Sequence, residues 1–335
     1  MRFVDLFAGI GGFHLAANEV FGDSARYVGS SENDVIARRI YEKAFCSDGE
    51  MGGDIRRLVS GNPDEWSLPQ FDLCLAGFPC QPYSNVGKRN GLSDPRSWVF
   101  FDLVRVLEYY RPKYFVLENV EKIKTLDGGS VLQLLKTRLG DAGYVVDMFT
   151  LCAKDYGLPQ QRKRIFFCGR RLDKRNSLHR LPVPNTNPLS DTKYPTTWHL
   201  LKREMPKEHE VPQGSRKTIF TRNEKWMGDL DIDREIARPI CATMGKWHRA
   251  NQDNYFTEHY IFSENGEKHP SFNYQRDRVR RITPLEALRL QGFPDIFAEY
   301  INTLSIPFTA VYRAVGNAVP VDMAAAVIKN LLENG

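Results

Sequence analysis

The sequence predicts an α/β fold: a twisted, largely parallel sheet with helices on both faces, joined to a second, smaller, loop-rich and β-containing unit. Three observations predict it. Short apolar runs of strand length alternate with segments of helical period up to about residue 170. The first run passes directly into a glycine turn, Ala8-Gly9-Ile10-Gly11-Gly12, and then a helix. Composition shifts near residue 181, where Pro182, Pro184, Pro188 and Pro195 break helical periodicity. A chain of 335 residues with 42% hydrophobic content is also long enough to form one large and one smaller core.

In order along the chain, Arg2 to Phe7 reads as a strand. The glycines after it let backbone approach a ligand closely, and the helix they open, Phe13 to Phe21, offers free amides at its start. A second strand, Arg26 to Ser31, ends at Glu32, about 20 residues beyond the glycines, where an acid can grip ribose hydroxyls. Asn33 to Phe45 is helical, and Gly53-Asp54-Ile55 is either a plain turn or a third ligand-binding loop. Leu73 to Phe78 has the composition of a fully buried strand and delivers Pro79-Cys80 into a polar loop. In open α/β sheets, ligands bind beyond the carboxyl ends of such strands. The loop Asn85 to Ser97, with Lys88-Arg89, is expected to close as a lid ahead of a helix from Val99 to Tyr110. Tyr114 to Leu117 then brings Glu118-Asn119-Val120 to the same sheet edge as Cys80. A helix within Gly129 to Gly143 and a strand Tyr144 to Ala153 lead to Gln160-Gln161-Arg162-Lys163-Arg164, whose cations suit phosphate or base contacts.

Beyond the prolines, aromatic residues are interleaved with basic and amide groups, as in Lys225-Trp226 and Lys246-Trp247-His248-Arg249. Trp226 and Trp247 are expected to anchor a core rather than stack on bases. Residues 171–281 hold 21 Lys and Arg against 15 Asp and Glu, whereas the rest holds 25 against 26, so the positive excess points to a polyanion partner at this segment. Thr283-Pro284-Leu285-Glu286 is a capping box opening a helix. Two apolar helices around Gly316-Asn317 close the chain, the last packing on the large unit. The six cysteines, at 46, 74, 80, 152, 168 and 241, lack the close pairs of a disulfide framework or zinc site. No run of about 18 apolar residues spans a bilayer and no signal-peptide layout opens the sequence, so a cytoplasmic protein is expected, with no membrane partner.

Together these motifs resemble those of the DNA (cytosine-5) methyltransferases of bacterial restriction-modification type: Asp5-Leu6-Phe7-Ala8-Gly9-Ile10-Gly11-Gly12, Pro79-Cys80-Gln81-Pro82-Tyr83-Ser84, Glu118-Asn119-Val120, Gln160-x-Arg162-x-Arg164, Arg281 to Pro294, and Gly316-Asn317. The resemblance implies a Rossmann-like S-adenosylmethionine-dependent methyltransferase sheet, and transfer of a methyl group to C5 of cytosine in double-stranded DNA. Phe7, Gly9, Ile10, Gly11 and Gly12 would line the donor site, Glu32 would hold its ribose, and Asp54 and Ile55 its adenine. Pro79, Val99 and Asn317 would complete the pocket, with Asn33 where relatives often carry a bulky apolar residue. Cys80 would be the nucleophile, with Glu118 at N3 of the flipped base, Arg164 on its carbonyl and Arg162 helping to order the site. Ser84, Lys88, Arg89, Gln160, Lys246 and Arg249 are the expected DNA contacts, and no metal is required.

Residues 1–182 and 308–335 are then expected to form the catalytic domain, 183–275 the target recognition domain and 276–307 a hinge. The expected setting is a bacterial or phage-encoded, nucleoid-associated enzyme, monomeric when active and matched by a cognate restriction endonuclease. The rival reading is a cytosine-5 tRNA methyltransferase on the same scaffold, which would keep Cys80 and Glu118 but carries a Cys-Phe-Thr signature absent here.

Overall fold

Strand β1 (Arg2–Leu6) lies inside a six-stranded sheet because its residues from Phe3 onward are buried on both faces. Around it the chain forms α1 (Gly12–Phe21), β2 (Arg26–Ser31), α2 (Val35–Phe45), the single turn α3 (Ile55–Leu58), β3 (Leu73–Gly77), α4 (Trp98–Tyr110), β4 (Tyr114–Val120), α5 (Ser130–Asp141), β5 (Tyr144–Cys152) and β6 (Lys163–Arg171). The sheet order is β2-β1-β3-β4-β6-β5. Strands β2, β1, β3 and β4 run parallel in that order, while β6 pairs antiparallel with β4. The computed structural model describes residues 1–46, 51–63, 66–79, 98–172, 179–221 and 231–335.

The chain divides into two units, the first made of Met1–Leu151, Lys163–Asn185 and Val319–Gly335, the second of Cys152–Arg162 and Thr186–Ala318. In the first, Val4, Leu6, Cys74, Ala76, Phe115 and Leu117 meet α4 and α5 through Phe100, Leu103, Leu107, Leu135 and Leu139. A continuous apolar strand needs cover on both sides, as parallel sheets do.

The second unit has little regular structure. It contains α6 (Thr197–Leu200), α7 (Gln213–Phe220), β7 (Tyr255–Thr257), α8 (Glu258–Phe262), β8 (Val279–Arg281), α9 (Pro284–Leu290), α10 (Ile296–Thr303) and α11 (Phe308–Asn317). A small core of Val211, Ile219, Ala250, Tyr255 and Val279, with Trp247 against it, supports the three-residue ribbon β7–β8. Trp247 is therefore a core anchor. Thr283 and Glu286 form the expected capping box, each accepting from the other's backbone amide.

Helix α12 (Val321–Asn334) returns to the first unit and packs along α1. The approach is so close that a Cβ on Gly12 would lie 2.2 Å from the Val319 carbonyl oxygen. The stretch Phe308–Asn334 is long and apolar enough to cross a membrane, but Pro320 divides it and 78% of its apolar window is buried.

Candidate active site

The glycine turn after β1 needs its glycines for separate reasons. Gly9 and Gly11 adopt φ of +56° and +93°, in the left-handed region. At Gly11 a Cβ would strike the Phe45 ring at 2.2 Å, whereas at Gly9 it would meet nothing within 4 Å. The turn thus packs tightly behind and leaves open space in front. Phe7, half-buried, also takes a positive φ of +53°. Ile10 is wholly buried.

At the end of β2, Glu32 accepts from the Gly9 amide at 2.8 Å and the Asp34 amide at 2.6 Å. Burial raises its pKa, and those amides oppose the rise. The strand-end acid and the glycine turn are therefore one hydrogen-bonded unit. Asn33 beside them is exposed. Asp54 accepts from the Arg56 amide at 3.0 Å and pairs with the Arg56 guanidinium, which lowers its pKa. The Ile55 side chain lies in the main core.

Beneath this turn, Asp5 is completely buried, and neither of its carboxylate oxygens reaches a hydrogen-bond partner among the described residues. Burial raises its pKa well above the usual range, and the charge of Glu32 adds to it. A polar residue alternating into an apolar strand was the available sequence signal for it. His14 itself is buried, stacks on Phe45 with ring centroids 3.9 Å apart and bonds the Tyr41 hydroxyl at 2.7 Å.

The second cluster lies at the carboxyl ends of β3 and β4. The register pairs Gly77 with Glu118, and a Cβ on Gly77 would come within 3.7 Å of Glu118 Oε2. Arg164, across the ladder on β6, approaches Glu118 Oε1 with Nε at 2.7 Å. Both side chains are nearly buried, so the pair is held in a low-dielectric setting where its geometry matters more than on an open surface. Asn119 donates to the Phe78 carbonyl at 3.0 Å and accepts from the Val120 amide at 2.8 Å. It thereby ties the end of β4 to the backbone one residue before Pro79. The sequence offered Asn119 only as part of a motif; its positioning role needs the strand register.

Cys80, Ser84, Lys88, Arg89 and the expected lid from Asn85 to Ser97 lie outside the described residues. Pro79 is exposed, and Val99 is half-buried against the core. Lys246 is exposed, while Arg249 donates to the Thr221 carbonyl at 3.0 Å. Asn317 is exposed at the end of α11, between buried Gly316 and Ala318.

Two polar residues of the expected site, Gln160 and Arg162, are buried. Gln160 has no exposed surface: its amide donates to the Leu290 carbonyl at 2.8 Å and accepts from the Ile240 amide at 2.8 Å. These bonds make it an internal link between remote segments. Arg162, 1% exposed, donates to the carbonyls of Ile240, Gly316 and Ala318 at 2.7, 2.9 and 3.0 Å. A guanidinium engaged this way supports backbone, here the carbonyls on both sides of Asn317.

The sequence matches the C-5 cytosine-specific DNA methylase family over residues 1–333. The Type II methyltransferase M.HaeII of Haemophilus aegyptius is 34% identical over 336 residues, covering 99% of this chain and 92% of that protein. M.HhaI of Haemophilus parahaemolyticus is 30% identical over 342 residues, covering 99% and 94%. Among solved structures, the S. pombe Dnmt2 methyltransferase superposes with a TM-score of 0.74 at 20% identity, over 99% of this chain and 98% of that one. A Spodoptera frugiperda DNMT2 variant gives 0.73 at 22%, over 99% of each chain. At that identity the likeness shows the fold alone. The sequence relatives go further, and with the family match over nearly the whole chain they show that this protein belongs to the C-5 cytosine-specific DNA methylases, enzymes that use S-adenosylmethionine to methylate cytosine at C5 in DNA.

Proposed function

We propose that this enzyme methylates one cytosine within a short duplex site through a covalent bond from Cys80 to the base, as the modification half of a restriction-modification system. The observation that carries the reading is the Glu118–Arg164 pair beside Gly77, three residues before Cys80 in the chain.

Cytosine C5 is a weak nucleophile. Attack of the Cys80 thiolate on C6 breaks the C5–C6 π bond and moves its electron pair toward C5. Glu118 meets N3 and Arg164, which orients Glu118, meets the base carbonyl, so charge arising in the ring is stabilised as it forms. When bound, S-adenosylmethionine would supply the electrophilic methyl group that C5 takes up with that electron pair, the S–CH3 bond breaking and S-adenosylhomocysteine leaving as product. The residues present fit it: open space fronts Gly9, and Glu32 is fixed at the end of β2 by the Gly9 and Asp34 amides. Phe7, Gly9 and Glu32 would hold it, with Asn317 in the donor-binding set. Loss of the C5 proton then returns the electron pair, the C6–Sγ bond breaks and the thiolate is restored. A duplex hides C6, so the base must be flipped out, at a cost of about a few kcal/mol that protein contacts offset.

The test is Cys80→Ser together with duplex DNA carrying 5-fluorocytosine at the target. The substitution should abolish turnover while leaving donor binding unchanged, and the fluorinated duplex should trap wild-type protein through Cys80. Turnover by the variant, or an adduct on Cys74, would sink the assignment. Methyl transfer to tRNA in place of duplex DNA would favour the rival substrate.

A further inference from the structure

Residues 159–162, 240–242, 290–291 and 315–318 are remote in sequence but meet inside the second unit through buried polar groups. Gln160 donates to Leu290 O and to Gln291 Oε1, at 2.8 and 3.2 Å, while its own oxygen accepts from Ile240 N–H. Gln291 donates to the Val315 and Ala318 carbonyls at 2.8 and 3.4 Å. Arg162 grips Ile240, Gly316 and Ala318. The three side chains are at most 1% exposed. Backbone pairing adds to them, with Gln161 N–H donating to Ala237 O and Ala237 N–H to Pro159 O, both at 2.8 Å.

At the centre is Gly316. A Cβ there would lie 2.4 Å from the Cys241 carbonyl carbon and 2.5 Å from the Ala242 nitrogen, so two backbones touch and only glycine fits. Carbonyls on both sides of Asn317 are thus held by Arg162 and Gln291, while the Asn317 side chain stays exposed. Groups this deeply buried cost free energy unless satisfied, and the acceptors they satisfy are concentrated on the backbone flanking one exposed amide.

We propose that Gln160, Arg162 and Gln291 form a joint that fixes the Gly316-Asn317 turn, and that they act as positioning residues for donor binding rather than as contacts to DNA or base. The inference rests on the reading that Asn317 belongs to the donor-binding set. Arg162→Lys keeps the charge but loses the fork that reaches three carbonyls. Gln291→Glu keeps shape and the acceptor for Gln160, but turns an oxygen toward Val315 O and Ala318 O.

Both variants, with Asn317→Ala, would be compared with wild type in the full chain. The readouts are KM for S-adenosylmethionine, kcat at saturating donor, duplex affinity, and hydrogen exchange at residues 240–242 and 315–318. The joint predicts about a tenfold rise in donor KM, kcat and duplex affinity within about twofold, and faster exchange at both segments. A loss of duplex affinity or of kcat with donor KM unchanged would overturn it, because Arg162 would then be a contact residue. A rise in donor KM for Asn317→Ala but not for the two joint variants would overturn it as well. If Asn317→Ala itself left donor KM unchanged, the donor reading would fail separately. Exchange would then decide the joint: faster at residues 315–318 supports it, unchanged refutes it. Should one variant not fold, the near-isosteric Gln291→Glu or Gln160→Glu carries the same test.

Discussion

Glu118 and Arg164 sit, both nearly buried, beside a glycine at the carboxyl ends of parallel strands. Arg278, by contrast, meets Glu210 and Glu258 while half-exposed, and a pair of that kind contributes about 0–1 kcal/mol. Replacing Glu118 with Gln keeps the volume and loses the acid. Turnover should fall about 10²- to 10⁴-fold with donor affinity held, and Arg164→Lys should follow it, because a lysine cannot present the same planar fork. Single-turnover rates at saturating donor would check this. A fall in donor affinity with an unchanged chemical step would assign the pair to binding. His14 gives a residue-scale prediction in pH. Burial depresses it to about 4 from an ordinary value of 6.5, so the folded state holds it neutral where the unfolded chain protonates it. Its contribution is present above about pH 6.5 and is lost as pH falls toward 4, an effect of roughly 3 kcal/mol. His14→Phe keeps the stack on Phe45 and should remove this part of the acid slope in urea titrations. An unchanged slope would place the titration elsewhere.

At the scale of elements, the glycine turn separates packing from function. Gly12→Ala drives a methyl into the Val319 carbonyl, a backbone atom that cannot swing away, and should destabilise the α1–α12 contact by about 1–3 kcal/mol. Gly9→Ala meets no neighbour but keeps the strain of φ +56°, about 1–2 kcal/mol, and should chiefly weaken donor binding by occupying the open space. Melting and donor calorimetry on both variants should give opposite rankings, and a single ranking would remove the distinction. These elements were legible in the sequence because their causes are local. The runs Arg2 to Phe7, Arg26 to Ser31, Leu73 to Phe78 and Tyr114 to Leu117 read as strands from composition, and the observed strands end at Leu6, Ser31, Gly77 and Val120, while the Thr283–Glu286 box announces α9 by spacing alone. The second unit was not legible beyond its poverty in long elements. Its order comes from side chains bonding remote backbone: Arg216 to the carbonyls of Val211, Tyr274 and Asp277, and Asp233 to Thr257. Such links leave no period. The partners of Gln160 and Arg162 were not legible for the same reason, since a polar residue buried by distant partners looks in sequence like one turned to solvent or ligand.

For the whole molecule, the question is which part chooses the DNA site. The positive excess of residues 171–281 lies at the two ends of that stretch, and residues 183–275 are themselves balanced at 13 Lys and Arg against 13 Asp and Glu; target choice is assigned to 183–275 because the reacting groups proposed above lie outside them. Duplex binding should weaken as salt rises, because phosphate contacts release counterions. Lys246→Ala should flatten that dependence by about one phosphate's worth while leaving the methylated sequence unchanged. The decisive experiment is a graft of residues 183–275 into a related enzyme, read by bisulfite sequencing of DNA the chimera has methylated. The packing argues that such a graft can fold. Arg162 and Gln160 hold the incoming segment at the backbone carbonyl and amide of Ile240, which any residue other than proline provides. The contact of Cys241-Ala242 on Gly316 must be kept. Side-chain contacts that cross the segment's ends must be kept as well: Arg278 with Glu210 and Glu258, Arg281 over Trp247, and His209 against Phe308. A chimera that carries these groups and takes on the new target would support the assignment. One that folds, turns over and keeps its original target would place recognition elsewhere, with the 85–97 loop the next segment to exchange.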